Sequence, residues 1–382
     1  MKNVRFIGLD VHAESIAVAV AEPGARAEVR SLGTIPNRAE SVGRLIRKLG
    51  NPAQLRVCYE AGPTGYVLYW QLSELGVRCE VVAPTLIPVK AGDRVKTDRR
   101  DAEKLARCYR AGDLTPVWVP DAAQEALRDL VRARLAAKRD QLRARNRLGK
   151  FLLRHGRRVP QGSTAWSTKH LGWIKRQSFE QAAQQATLVD YLHEVEHQAE
   201  RIVRLERAID TAIETLPEKM CAVIEALQCL RGIAKISAVS IMAEVGELSR
   251  FARARQLMGY SGAVSWEDSS GPRVHRGGIS KSGNAHLRRI VIEAAWAYRH
   301  RPGLGATLLA RQRDQSEEIK AMAWKAQHRL HARYAKLLAK GKAKQQVITA
   351  VGRELLGFIW AIGVASERSQ SDTPRRLLKR VA

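Results

Sequence analysis

Acidic residues are scarce in this chain: 38 Asp and Glu stand against 65 Lys and Arg over 382 residues, a formal net charge of +27 at pH 7. A field of that sign repels cations and attracts polyanions, which puts nucleic acid first among partner classes and an anionic lipid surface second. Cysteine is scarce too. Cys58, Cys79, Cys108, Cys221 and Cys229 are scattered, with no C-x-x-C pair and no histidine at zinc-ligand spacing beside them. That excludes a disulfide scaffold and a structural zinc module, and fits a reduced, cytoplasmic protein. Long apolar runs are missing as well. Charges interrupt the N-terminal MKNVRFIGLDVHAE, and Leu355 to Ser366, the longest apolar run near the C-terminus, is too short to span a bilayer, so neither secretion nor membrane insertion is expected. What is present is a 45% hydrophobic share, enough to exclude a disordered polybasic tail and to place the charge on folded surfaces. At about 100 to 200 residues per domain, the length allows two or three domains.

Alternating β-branched residues predict strands over Val4 to Val11, Ser15 to Ala21 and Ala27 to Ile35, with Glu22-Pro23-Gly24 as a turn. An amphipathic helix follows from Arg38 to Leu49, then a strand from Leu55 to Tyr59, a helix from Tyr66 to Leu75 and a strand from Val77 to Val82. After a loop, Thr97 is placed to cap a helix that ends at Tyr109, before Gly112. The order βββαβαβ followed by a helix is that of a ribonuclease-H-like α/β domain. Gln124 to Arg154 reads as a basic helix with Leu127, Leu130, Val131, Leu142, Leu148, Phe151 and Leu152 on one face. The cations between them, from Arg128 to Lys150, favour a phosphate-contacting surface over a merely solvated one. Residues 156–186 are polar and carry no period. Leu188, Leu192, Val195, Ala199, Ile202, Leu205, Ile209 and Ile213 follow a 3,4 spacing that asks for a coiled-coil partner, within the chain or in a second copy.

Four carboxylates stand out in the first region: Asp10 in IGLDVH, Glu60 in CYEAGPTG, and Asp98 and Asp101 in KTDRRDAEKLA. The last two share one face of a helix's first turn, where the dipole favours their ionised forms. In a fold that pairs the first and fourth strands, Asp10 and Glu60 point at that helix. Such a cluster is costly unless divalent cations neutralise it, and hard oxygen donors suit Mg²⁺ or Mn²⁺. Two ions of this kind serve displacement at a phosphodiester. Further on, Leu230-Arg231-Gly232-Ile233-Ala234 resembles half of a helix-hairpin-helix, whose turn offers backbone N–H groups to phosphate. Gly278 to Asn284 leads into a helix from Leu287 to Ala297, with Lys281, Asn284, Arg288 and Arg289 as phosphate contacts. No acidic residue occurs between Ile319 and Arg353, so Lys325, Arg329 and Arg333, interleaved with Trp324, His328 and Tyr334, mark another nucleic-acid-binding helix. The stretch His193-Glu194-Val195-Glu196-His197 matches a zinc-protease pattern, but it lies on the coiled-coil helix with both histidines off the apolar seam and reads as surface.

These segments, from GLDVH through YEAGPTG and KTDRRDAEKLAR to the block LRGIAKISAV…SSGPRVHRGGISKSGNAHLRR, make the chain resemble the DEDD insertion-sequence transposases of the IS-one-ten group. The resemblance covers most of the chain and implies a RuvC-like domain over 1–115, a basic helical, coiled-coil region over 116–216, a mainly α C-terminal transposase domain over 217–366 and a basic tail over 367–382. It assigns the family's metal-binding acids to Asp10, Glu60, Asp98 and Asp101. Its nucleophilic serine falls on Ser270, next to Ser269, with Pro272 where the motif commonly has a second glycine. It further implies a composite site that forms a phosphoserine link to DNA, a structured guide RNA encoded by the element, and a dimer or tetramer. Two other activities are set against this one: a junction-resolving nuclease in which water attacks, and a non-catalytic nucleic-acid-binding protein.

Overall fold

The computed structural model describes residues 4–24, 27–89, 97–271 and 273–378. Pro272, the loop residues 90–96 and the end of the tail, 379–382, lie outside the described residues. The chain divides into two compact units, Met1–Pro120 and Asp121–Ala382.

The first unit is mixed α/β. Strands β1 (Arg5–Val11), β2 (Ser15–Ala21), β3 (Val29–Pro36), β4 (Leu55–Glu60) and β5 (Arg78–Val82) form one sheet in the order β3-β2-β1-β4-β5. β2 is antiparallel to β1 and β3, while β4 lies parallel to β1, as the expected pairing of first and fourth strands requires. Strand periodicity sorts the two faces. Ile7, Leu9, Val18, Val57, Tyr59 and Val81 pack against Val42, Leu45 and Ile46 of α1 (Ala39–Leu49) and Leu68 and Leu72 of α2 (Val67–Glu74). The opposite face carries mostly small side chains over β1 and β2. There Ala17, Ala19 and Ala21 receive Ala102 and Ala106 of α3 (Asp98–Ala111). Gly8 completes that flat surface: a Cβ on it would lie 2.3 Å from the Ala102 carbonyl oxygen and 2.4 Å from the Ala106 nitrogen. The helix backbone therefore rests directly on β1. Thr97 caps α3 as expected, its hydroxyl accepting from the Arg100 N–H at 3.3 Å.

The second unit is mostly helical. Helices α4 (Ala122–Arg154) and α6 (Ala182–Glu214), 33 residues each, run antiparallel, since Arg134 pairs with Glu206 and Arg201 with Asp140. The coiled-coil partner of α6 is thus α4 of the same chain. The stretch without a period supplies α5 (Thr168–Lys175), whose Ile174 joins Phe151, Leu188 and Val195, with Trp166, Trp173 and Phe179 around them, in a small core at the far end of the hairpin. Leu142, read as part of the apolar face, is 60% exposed. The buried positions of α4 here are Gln141 and Ala144, and one residue's step of about 100° turns Leu142 outward. The basic run is also only partly outward, because Arg128, Arg132 and Arg134 turn to Glu244 and Glu206.

Helices α7 (Glu218–Leu227), α8 (Lys235–Val245), α9 (Ala254–Tyr260), α10 (Ala285–Ala295), α11 (Ala306–Gln312), α12 (Glu317–Ala339) and α13 (Lys344–Leu378) follow, and all but α11 contribute buried residues to one large core, shared with Leu127 of α4 and Ile209 of α6. Helix α13 does not stop at residue 366. Ser366 and Glu367 are buried, and the Glu367 carboxylate accepts from the Leu248 and Ser249 N–H groups at 2.7 and 2.9 Å. Its segment Lys344–Gln370 is long and apolar enough to cross a membrane by length and composition, contrary to the short run read from the sequence. Its Val347, Val351, Leu355, Ile359 and Ile362 are fully buried in the protein core instead. One element is not helical: Ser265–Ser270 and Arg273–Ile279 pair as the antiparallel hairpin β6–β7.

Candidate active site and nucleic-acid surface

Leu9 and Tyr59 are register partners and both face the core under α1 and α2. The residues after them, Asp10 and Glu60, therefore project from the α3 face side by side. Because Gly8 lets α3 sit on β1, the first turn of that helix brings Asp98 and Asp101 to the same place. His12, just past β1, sits between two of the acids: its Nε2 lies 3.3 Å from Asp10 Oδ2 and 3.5 Å from Asp98 Oδ1. One donor atom from each of Asp10, His12 and Asp98 falls within 4.8 Å of the others. Glu60 and Asp101 are not in that trio, though the Asp101 charge acts on Asp10. Burial raises the Asp10 carboxyl above its ordinary value, His12 works against the rise, and the charges of Asp101 and Asp98 add to it. A set of hard carboxylate oxygens that repel one another fits a divalent cation. His12 escaped the sequence reading, yet its position two residues beyond Asp10 in GLDVH was the available signal, since a strand returns to the same face every second residue.

Ser270 ends β6, at the tip of the hairpin, beside Gly271 with φ +57°. All six residues of β6 are exposed. The two adjacent serines differ: Ser269 donates to Glu267 Oε1 at 3.0 Å on one face, whereas Ser270 points to the other. The Trp266 ring lies over Gly277 and meets His275 edge-on at 5.2 Å. The hairpin root is firm. Ser280 N–H donates to Val264 O at 2.8 Å, Lys281 N–H to Gly262 O at 3.1 Å, and Asn284 N–H to Tyr260 O at 2.7 Å. The backbones cross so closely that a Cβ on Gly262 would lie 2.0 Å from the Ser282 carbonyl oxygen.

Beneath the root is Glu244, 1% exposed. Arg132 donates to both its oxygens at 2.8 Å, Asn284 Nδ2 to Oε2 at 2.7 Å, and the Tyr260 hydroxyl to its backbone carbonyl at 2.8 Å. Burial acts to raise this carboxyl, but the hydrogen bonds from Arg132 and Asn284 and the charges of Arg132 and Arg128 hold it below the usual glutamate value. Asn284 also caps α10, accepting from Leu287 N–H at 2.9 Å.

Of the expected nucleic-acid contacts, Lys281, Lys325, Arg329 and Arg333 meet in one open groove of about 1380 Å³ at the base of the hairpin. Arg255, Lys342 and Arg353 also line it, with Glu354 as the acidic lining residue among the described residues. Arg329 and Arg333 both pair with Glu354, at 3.0 and 3.2 Å. The others are placed apart from it. Arg288 donates to Ser261 O at 2.7 Å and Arg289 to Glu293 at 2.6 Å. In the α7–α8 turn the Ile233 side chain is buried in the core, its N–H is directed to Leu230 O, and Gly232 abuts the Ala294 carbonyl of α10. His193 and His197 are exposed on α6, and Glu196 pairs with Lys175 at 2.6 Å.

Residues 7–156 match the DEDD transposase family of the IS110 type, and residues 224–308 match the transposase IS116/IS110/IS902 family. A Sinorhizobium fredii protein named as transposase y4qE is 44% identical over 369 residues, 96% of this chain and 90% of the relative. The transposase for insertion sequence element IS1533 of Leptospira borgpetersenii is 33% identical over 347 residues, 90% of this chain and 99% of its own length. The pilin gene-inverting protein of Moraxella bovis is 24% identical over 320 residues, 82% of this chain and 81% of that protein. A basic chain with clustered carboxylates and this kinship has one identity: it is a transposase enzyme acting in DNA transposition, and it belongs to the IS110 family.

Proposed function

We propose that the enzyme cuts and rejoins the DNA strands of an insertion sequence with Asp10, Glu60, Asp98 and Asp101 as a metal-binding tetrad and Ser270 as nucleophile. The observation that carries this reading is the gathering of Asp10 and the first turn of α3 on one face of the sheet, with Glu60 beside Asp10 by register. The strand order supports an RNase-H-like, RuvC-like identity for the first unit. Mg²⁺ or Mn²⁺ held by the four carboxylates supplies positive charge to the scissile phosphate when bound. Ser270 Oγ bonds to phosphorus, the bond from phosphorus to the 3′ oxygen breaks, and the serine proton ends on that oxygen. The products are a 5′-phosphoserine link and a free 3′ hydroxyl. A 3′ hydroxyl on another strand then attacks the link and returns Ser270 to its alcohol, so no external energy source is needed.

Two duplexes take part, so the working species is an oligomer. The groove of Lys281, Lys325, Arg329 and Arg333 contacts backbone phosphates, which carry no base identity, and a structured guide RNA supplies the choice of target. The test is incubation of the full chain with Mg²⁺, element-end DNA and flanking RNA, followed by a denaturing gel. A covalent protein–DNA adduct in wild type and none in Ser270→Ala is the expected result. Cleavage that persists in Ser270→Ala without any adduct would make water the nucleophile and this protein a resolving nuclease.

A further inference from the structure

The acidic tetrad leaves one side chain of the site without a role. His12 is not a bystander on a mobile loop. Its N–H donates to Ser15 O at 2.8 Å, and its carbonyl accepts from Asn37 Nδ2 at 2.8 Å, so the turn between β1 and β2 fixes the backbone that carries the ring. The ring presents Nε2 between two carboxylates on different elements, 3.3 Å from Asp10 and 3.5 Å from Asp98. Adjacent ligand atoms around an octahedral ion with bonds of about 2.1 Å lie about 3 Å apart. Nε2 is thus spaced from each carboxylate oxygen much as neighbouring ligands of one ion are, the three donor atoms all lie within 4.8 Å of one another, and the ring is half-exposed, open to an entering ion.

We propose that His12 is a nitrogen ligand of the divalent ion held by Asp10 and Asp98, and that it biases the site toward Mn²⁺ over Mg²⁺. The inference rests on the reading that these acids hold an ion. The chemistry is that of donor type. Carboxylates alone serve Mg²⁺ and Mn²⁺ alike, whereas an imidazole nitrogen favours first-row transition ions and adds little to Mg²⁺.

The test uses the full-length protein and the metal alone, without DNA. Mn²⁺ is titrated into wild type, His12→Ala, His12→Gln and Asp98→Asn, with free ion followed by electron paramagnetic resonance and Mg²⁺ added as competitor. Pulsed measurements on the bound ion read coupling to ¹⁴N. In wild type the bound Mn²⁺ shows a histidine nitrogen coupling that both His12 variants lose. Their Mn²⁺ affinity falls about tenfold, while Mg²⁺ affinity moves less than about twofold. Nitrogen coupling that is absent in wild type, or survives in both His12 variants, overturns the proposal while the carboxylate site stands. Equal Mn²⁺ binding by wild type and Asp98→Asn would remove the carboxylate site and the proposal together. Circular dichroism on each variant shows that a lost signal is not a lost fold.

Discussion

The two places where chemistry is expected are built in opposite ways. Asp10 stands on the central strand of a five-stranded sheet, flanked by buried Leu9 and backed by a helix that touches the strand's own backbone. Ser270 stands at the tip of a two-stranded ribbon whose first strand is exposed along its whole length. An isolated two-stranded hairpin is marginal in water, so only its root, fastened over Glu244, is held by the fold. The difference teaches a contrast in support: the carboxylates of the first unit are fixed by a packed sheet and helix, whereas Ser270 is carried on an exposed tip whose root alone is fastened.

The strongest way to sharpen this contrast is to remove each group in turn. Asp10→Asn and Ser270→Ala should each lower strand exchange by about 10³-fold or more, with DNA and RNA binding retained. Thermal melting should be unchanged by Ser270→Ala and unchanged or raised by Asp10→Asn, because the latter removes like-charge repulsion from a partly buried carboxyl. A drop in melting temperature for Ser270→Ala would mean that the tip is part of the frame.

Gly8→Val attacks the frame itself. Its side chain would meet helix backbone, which cannot step aside, so the first unit should lose about 3 kcal/mol in denaturant unfolding and its metal affinity with it. Unaltered metal affinity would show that α3 does not need that contact. Next comes Glu244. Its carboxyl is depressed in the fold, so its contribution is complete above the ordinary carboxylate range, about 4.3, and is lost as pH falls through the folded value. Acid unfolding of the second unit should therefore be less steep in Glu244→Gln, which at neutral pH is less stable by about 2 kcal/mol. The smallest global effect belongs to Trp266→Ala: below about 0.5 kcal/mol in overall unfolding, yet with faster proteolysis and amide exchange over 265–279, since the indole covers Gly277.

Much of this frame was legible in the sequence, because its elements follow single rules. Alternation gave β1, β2 and β4, the 3,4 spacing gave α6, and Thr97 and Gly112 bracketed α3. Strand order and helix spacing also pointed to one neighbourhood for Asp10 and Asp98, which the fold brings together around His12. What was not legible depended on contacts distant in sequence. β6, SWEDSS, alternates no apolar residues, so its pairing with β7 has no signature in its own sequence, and Trp266 meets Gly277 only across the ribbon. Arg132 and Asn284 looked like surface groups until folding brought both to Glu244, 112 and 40 residues away. Leu355 to Ser366 looked short only because Arg353, Glu354 and Glu367 break the apolar run without breaking the helix.

The hairpin of α4 and α6 has a mechanical side. At 1.5 Å per residue its 33-residue helices are about 50 Å long. Its outer end is stiffened by a separate aromatic cluster, and its base is seated through Arg128 and Arg132 on the carboxylate that roots the serine ribbon. A tilt of 5° at the base sweeps the tip through about 4 Å, from the same length. Run in reverse, an arm of that length would act as a lever: a push at its end would be felt at Glu244, which Asn284 touches directly, just beyond the strand that begins opposite Ser270.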